Sequence, residues 1–301
     1  MNAPDIGLFK KFIVSRADGA NAPGGKHADC DYFVLDLTHD KHAIPAAAAY
    51  ADSCAMAYPA LAKDLRAKVA AAVAVQSEFI TVPETTLPNG TVVPSFQVGR
   101  YLSSEGPAGI PLSTPNATPW IEIDYHEARK ACETAGSKLI TETQALAIAW
   151  NISQQDVNWT GGKVGEGNIF MGIHKGNVDE AQPGTYESED PEERRWHVLS
   201  NGDRINDFAG NAYTWVFDDV QGDEQGLIAK PFADDSPSIT TAPYPSMEKG
   251  TGWRPRAGSD WSGRALVRGG CWDSVDLAGV FDLGHGWPGS DVVSVGFRCT
   301  K

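Results

Sequence analysis

The sequence predicts a loop-rich α+β fold, on three observations. Glycine, proline and tryptophan are abundant (31, 19 and 9 in 301 residues), so many turns and irregular loops must be held by large aromatic anchors. Apolar, β-prone runs are short, as at Phe79–Val82 and in the aromatic run that follows Asp207. Two helix-start signals stand close together, Asp124 with Glu127 and Thr141 with Gln144.

Length and charge bound the function. The chain can bury one large core or two smaller ones. A net charge of −14 and the lack of any Lys/Arg run exclude nucleic acid as an expected partner. No stretch reaches the length of a membrane span. The opening MNAPDIGLFKKFIV has too short an apolar run, behind no basic region, for a signal peptide. Synthesis in the cytoplasm is therefore expected, with a phage particle or a cell surface as destinations. The five cysteines, Cys30, Cys54, Cys132, Cys271 and Cys299, are odd in number and lack metal-site spacing, so free thiols are expected.

Residues 1–78 read as a small α/β unit, an assembly or docking module with no recognisable chemistry. Lys11–Ser15 and Tyr32–Leu37 are its strand candidates; the Ala-rich runs Ile44–Met56 and Pro59–Val75 are its helices. His39 and His42 precede the helical pattern and read as a solvated turn, not a metal pair. From residue 79 the composition changes. Phe79–Val82 and Val92–Tyr101 are strand regions, with Pro88-Asn-Gly90 as the hairpin turn between them. Ser103–Pro119 reads as a loop. Asp124 opens a helix whose inward face is Ala128, Ala131, Cys132 and Ala135, stopped by Gly136; Thr141 opens the next, Glu142–Trp150. Trp159–Gly167 is glycine-rich but lacks the Gly-Lys-Ser/Thr of a phosphate loop. Glu187–Arg195 reads as a solvated charged run.

Four blocks after residue 79 carry a resemblance, in order. They are Val98-Gly-Arg-Tyr101, the two-helix segment Ile123–Glu142, Asp207-Phe-Ala-Gly-Asn-Ala-Tyr-Thr-Trp215, and Arg268-Gly-Gly-Cys-Trp272 with Gly296-Phe-Arg298. Together they resemble the formylglycine-generating-enzyme (sulfatase-modifying factor) branch of the C-type lectin fold. The resemblance implies a C-type lectin-like domain over residues 79–301. The oxidising members use a cysteine pair inside the C-terminal block, and this chain has none between Trp272 and Phe297. For an iron-dependent relative, His285 with Asp282 and Asp291 is the local candidate, while His126, His174 and His197 stand in unrelated contexts. The resemblance also implies a calcium site, at Asp207, Gly210 and Ala212, although Thr214 replaces the family's glutamate. No other cofactor is expected.

The stretch Arg-Gly-Gly-x-Trp, Ala-Gly-Val-Phe-x-Leu, Gly-Phe-Arg is further similar to the variable proteins of diversity-generating retroelements, which randomise adenines in a 3′ repeat. Randomised Asn codons of the AAC or AAT type can never give Lys, Glu, Gln, Met or Trp. The candidate variable region, 271–294, obeys this at Cys271, Asp273, Ser274, Val275, Asp276, Asp282, Gly284, His285, Gly286, Ser290, Asp291, Val292, Val293 and Ser294. Trp287 falls outside the codon set; it is either scaffold or the main energetic anchor of an interface. Arg268, Trp272, Phe281, Phe297 and Arg298 are the expected scaffold. Such a surface resembles a paratope, with rigid anchors and exchangeable contacts. The expected function is therefore non-enzymatic binding of a protein or other macromolecular surface, with basic partner surfaces favoured and oligomerisation compatible with it. The alternatives are an oxidoreductase of the formylglycine-generating-enzyme class or a metal-dependent relative, and a structural phage tail-fibre component. A Cys271–Cys299 disulfide could staple the loop ends, but free thiols are the favoured expectation.

Overall fold

The computed structural model describes residues 12–40 and 42–301. It divides into two compact units, Met1–Leu65 and Arg66–Lys301. The division falls inside a helix; the sequence reading puts the boundary just after that helix, at 78/79.

In the first unit residues 12–40 form turns and extended segments with no strand. Lys11 lies outside the described residues. Among the described residues neither 12–15 nor Tyr32–Leu37 forms a strand, and the regular elements of this unit are helices. A β-prone run becomes a strand only where a partner completes its ladder. α1 (Ala43–Cys54) buries Ile44, Ala47, Ala48, Ala51 and Cys54, all on one helical face. α2 (Pro59–Gln76) starts at a proline, whose missing N–H leaves no helix bond unmade there. Among the described residues no helix is long and apolar enough to cross a membrane.

The second unit is mixed α+β and loop-rich. After α2 come β1 (Phe79–Val82), β2 (Thr85–Thr86), β3 (Val92–Val93), β4 (Phe96–Gly99), β5 (Ser103–Glu105) and β6 (Pro111–Ser113). α3 (Tyr125–Thr134), β7 (Lys138–Leu139) and α4 (Glu142–Ser153) follow. A long irregular stretch then leads to β8 (Trp196–Val198), β9 (Arg204–Asn206) and β10 (Tyr213–Val216). The last elements are α5 (Pro237–Thr240), β11 (Ala265–Arg268), β12 (Leu283–Gly286), β13 (Val295–Phe297) and β14 (Cys299–Thr300).

Both capping boxes form. The Asp124 carboxylate accepts from Glu127 N at 2.8 Å, and the Thr141 hydroxyl from Gln144 N at 3.2 Å. Gly136 ends α3 with a φ of 68°. Two readings are corrected. Ser103–Pro119 contains the β5–β6 hairpin, with Ser103 opposite Ser113. Its strands are rich in serine, whose buried hydroxyls are satisfied inside, as where Ser113 Oγ accepts from Tyr101 N at 3.0 Å. The charged run 187–195 is not all solvated: Glu193 and Arg195 are buried. Glu193 accepts from the backbone of His174 and Lys175 and from Ser188, so its charge is met internally.

Two four-stranded sheets organise the unit. One has the order β1-β4-β14-β7 and is antiparallel throughout, with the C-terminal strand in its middle. The other has the order β12-β11-β10-β13, with β10 antiparallel to β11 and parallel to β13. Thr214 therefore lies between Arg268 and Gly296, which puts the last two of the four sequence blocks in adjacent strands. α4 is buried along most of its length in the larger core, with Ile140, Val216, Leu266, Phe281 and Leu283. α3 faces a second cluster of Trp215, Val267, Val295 and Phe297.

Two buried arginines tie the blocks together. Arg298 donates to the carbonyls of Gly99, Arg100 and Asp207 at 3.0, 3.1 and 2.7 Å, and also to Asn206. Burial pushes it down to about 10, which leaves it charged at neutral pH. Arg268 forms a two-pronged ion pair with Glu142, the first residue of α4, with Nε to Oε2 at 2.6 Å.

Candidate binding surface

The surface is carried by two loops, 269–282 between β11 and β12, and 287–294 between β12 and β13. Both begin and end in the core. Gly269 and Gly270 take φ of 98° and 85°, and a Cβ on Gly270 would meet Ala278 Cβ at 2.7 Å. Only glycine fits there. Trp272 is buried with Leu102, Ile173, Ala181 and Ala212, and its carbonyl accepts from Gly176 N. Phe281 lies in the larger core and Phe297 packs edge-on against Trp120. With Arg268 and Arg298, all five expected scaffold side chains are buried.

The positions between them divide. Asp273, Val275, Asp276, His285, Trp287, Asp291 and Val293 are exposed; Gly284, Ser290, Val292 and Ser294 are half-buried. Two candidate contacts lie beneath the surface instead. Ser274 accepts from Cys271 N at 2.8 Å and closes the tight turn before Val275–Leu277. Asp282 is 2 % exposed, pressed against the backbone of Gly252, where a Cβ would lie 2.6 Å from its own. Gly286 is fixed as well, because a Cβ there would sit 2.5 Å from the Trp215 ring. In each case the loop's return to the core turns the side chain inward. Composition alone does not show this.

Burial holds the Asp282 carboxyl well above the usual range despite the neighbouring Arg268 and Arg254 guanidiniums. The folded protein therefore keeps this proton at pH values where the unfolded chain, with an aspartate near pH 3.9, has lost it. Its contribution to stability falls as pH climbs above about 4. Asp282→Asn is expected to remove that fall. Denaturation midpoints at pH 5 and pH 8 should converge in the variant and gain most at pH 8; an unchanged gap between them would reject the assignment. His197 works in the opposite sense. Burial pushes it down to about 4, so its stabilisation is lost as pH falls from about 6.5 through that value.

Val275 has a φ of 51°, a conformation that a β-branched residue rarely adopts. At 53 % exposure its side chain has little packing to lose. Val275→Asn is expected to raise stability by about 1 kcal/mol, read as a rise in Tm of about 2–4 °C. A fall in Tm would show that the valine holds the turn.

The rings beside the loop were not found from sequence. Trp253 and Trp261 stack at 6.1 Å, and Trp261 meets His285 at 4.4 Å. The Arg264 guanidinium lies 3.2 Å over the Trp287 ring. Burial, then Arg264, lowers the His285 pKa. Trp253 reaches the site because its carbonyl accepts from Leu283 N at 2.9 Å, a pairing across thirty residues with no local signal.

Most of the cysteines are free, as expected, Cys271 among them, but Cys299 is not. Cys132 of α3 is bonded to Cys299 of β14, while Cys30, Cys54 and Cys271 are free. Cys271 Sγ lies 3.0 Å from Asp273 and 3.2 Å from Ser274 Oγ, and burial pushes its thiol up to about 11. It carries no thiolate at neutral pH.

The expected calcium donors do not fit the ion. Asp207, Gly210 and Asn211 take the positive φ that their residue types favour, 51°, 71° and 65°. Both Asp207 oxygens, however, bind Arg195, at 2.7 Å each. Arg195 also donates to the carbonyls of Gln182, Pro183 and Tyr186, so all five of its N–H groups end on oxygen. A fixed guanidinium therefore takes both carboxylate oxygens of Asp207, and a divalent cation on Asp207 would meet like charge. Calcium at millimolar concentration, or a chelator, is expected to shift Tm by less than about 1 °C; a calcium-dependent rise of several degrees would overturn this. Among the described residues no cluster of three or more His, Cys, Asp or Glu could hold a metal, and His285 is not gathered with Asp282 and Asp291.

No protein-family model matches the chain, and no curated protein matches it either. Among solved structures it is similar to Treponema denticola variable protein 1, at 12% identity and a TM-score of 0.41, over 74% of this chain and 94% of that one. It is also similar to PvdO from Pseudomonas aeruginosa, at 13% identity and a TM-score of 0.34, over 74% and 91% of the two chains. The U1 variant of the Major Tropism Determinant matches at 13% identity and a TM-score of 0.36, over 73% of this chain and 54% of that one. At these identities and scores the likeness carries no argument about activity.

Proposed function

We propose that this protein is a non-enzymatic ligand-binding protein of the C-type lectin type, whose loop surface between residues 271 and 294 is diversified by a retroelement to meet varied macromolecular ligands. One observation supports the reading best: buried anchors and exposed side chains are interleaved in the same stretch. Trp272, Phe281 and Phe297 are buried, while Asp273, Asp276, Asp291 and Val293 stand exposed between them. Such side chains can be exchanged without unfolding the backbone that presents them. Val275 adds to this. Its backbone suits asparagine and carries valine, which is what a randomised Asn codon leaves behind. Against catalysis stand the raised thiol of Cys271 and the engagement of Cys299 in a disulfide, since neither supplies a nucleophilic thiolate.

The test has two parts. A variant with Asp273, Asp276, Asp291 and Val293 all replaced by Ser or Thr is expected to keep its Tm within about 2–3 °C, whereas Trp272→Ala loses about 3–5 kcal/mol. A large loss in the surface variant would sink the division of labour. Sequencing the neighbouring DNA is expected to find a reverse-transcriptase gene and a near-copy of the 3′ end differing at adenines. Without them, the diversification part of the proposal fails.

A further inference from the structure

We infer that the partner of this surface is a protein face offering apolar side chains flanked by lysine or arginine; the inference rests on the binding reading above. Of the eight exposed large hydrophobic side chains described in the second unit, four belong to this short stretch: Val275, Leu277, Trp287 and Val293. Exposed apolar residues scattered singly need no explanation, but a concentration of them marks an interaction site. Trp287, at 58 % exposed, is the largest of the four and the natural anchor.

The charges within this stretch have one sign. Residues 271–294 contain four aspartates and no lysine or arginine. Asp282 is buried, while Asp273, Asp276 and Asp291 are exposed and form no ion pair among the described residues. A neighbouring cation, Arg264, lies over the Trp287 ring and so belongs with the apolar side chains. A stretch that exposes apolar side chains and carboxylates without ion pairs is complementary to a protein surface that offers apolar and basic residues together.

The same features disfavour other ligands. Nucleic acid and anionic glycans would meet like charge, both locally and from the chain's net charge of −14. A neutral glycan needs convergent amide and hydroxyl groups. The stretch contains no Asn or Gln, and Ser274 spends its hydroxyl on the Cys271 backbone. Recognition through a shared calcium ion is opposed by Arg195, which takes both oxygens of Asp207.

The test pans a peptide-display library against the full chain and measures the affinity of the selected peptides in solution. The expected peptides combine apolar residues with net positive charge. Trp287→Ala should weaken them at least about tenfold. The triple variant Asp273→Asn, Asp276→Asn, Asp291→Asn should weaken them by a similar factor at low salt. A control triple of equal charge change elsewhere on the surface (Glu84→Gln, Glu105→Gln, Glu189→Gln) should stay within about twofold, since screening confines the effect to nearby carboxylates. Thermal melts of each variant check that folding is retained. Peptides that depend on Trp287 but are neutral or acidic, or that lose as much in the control triple, would overturn the charge inference and leave the binding reading standing. Peptides indifferent to Trp287→Ala would remove the binding reading itself. A glycan-array signal abolished by Trp287→Ala, with no peptide selected, would overturn the protein partner.

Discussion

Replacing Arg268 by methionine is expected to cost about 3–5 kcal/mol. Its guanidinium meets both oxygens of Glu142 in the interior, and neither side chain touches solvent to any extent. Removing the arginine leaves a buried carboxylate with no counter-charge. It also leaves that carboxylate beside Asp218, already pushed up to about 6 by burial and by Glu142 itself. The carbonyls of Phe281 and Asp282 lose a donor as well, and they begin the return of the surface loop to β12. Chemical denaturation should report the loss, and a double variant, Glu142→Leu with Arg268→Met, should recover part of it, because the stranded charge is then gone. If the single and double variants fall equally, the pair's charge is not what holds the site and the stranded carbonyls matter more.

Removing the disulfide is expected to be nearly as costly, about 3–5 kcal/mol. The bond joins Cys132 to Cys299 across 167 residues, with Cα atoms 5.6 Å apart. Closing a loop of that length removes much of the unfolded chain's freedom, worth about 5 kcal/mol in the chain-entropy account. It pins α3 to β14, and β14 follows directly on β13, after the surface loop 287–294. Denaturation of a Cys132→Ala, Cys299→Ala variant should show the loss, as should the reduced wild type. Non-reducing peptide mapping should find a 132–299 crosslink with Cys271 unmodified. A crosslink that includes Cys271 would overturn the assignment.

Much of the candidate site was legible before the fold was known. Arg268, Trp272, Phe281, Phe297 and Arg298 stood out as scaffold because motif glycines and aromatics bracket a stretch of another composition, and all five are buried. The capping boxes at Asp124 and Thr141 were legible because a cap is a contact between residues three apart. The strands expected in the first unit were not realised, because a short apolar run carries no information about a partner. Asp282 was misjudged for a related reason. As an aspartate between apolar residues it looks like a solvent contact, and only its approach to Gly252 and the arginines shows that it turns inward.

The sequence by itself determined the α+β class, the helix starts, the glycine-bound turns and the anchors of the surface loops. These depend on backbone conformation and on contacts a few residues apart. The tertiary structure alone decided which cysteine meets Cys299, that Arg195 takes both oxygens of Asp207, and that Trp253, Trp261 and Arg264 stand beside His285 and Trp287. Each is a meeting of segments from twelve to more than a hundred residues apart, or the choice of one partner among several of the same chemical type. Local spacing does not encode such choices; the closing of the sheets makes them.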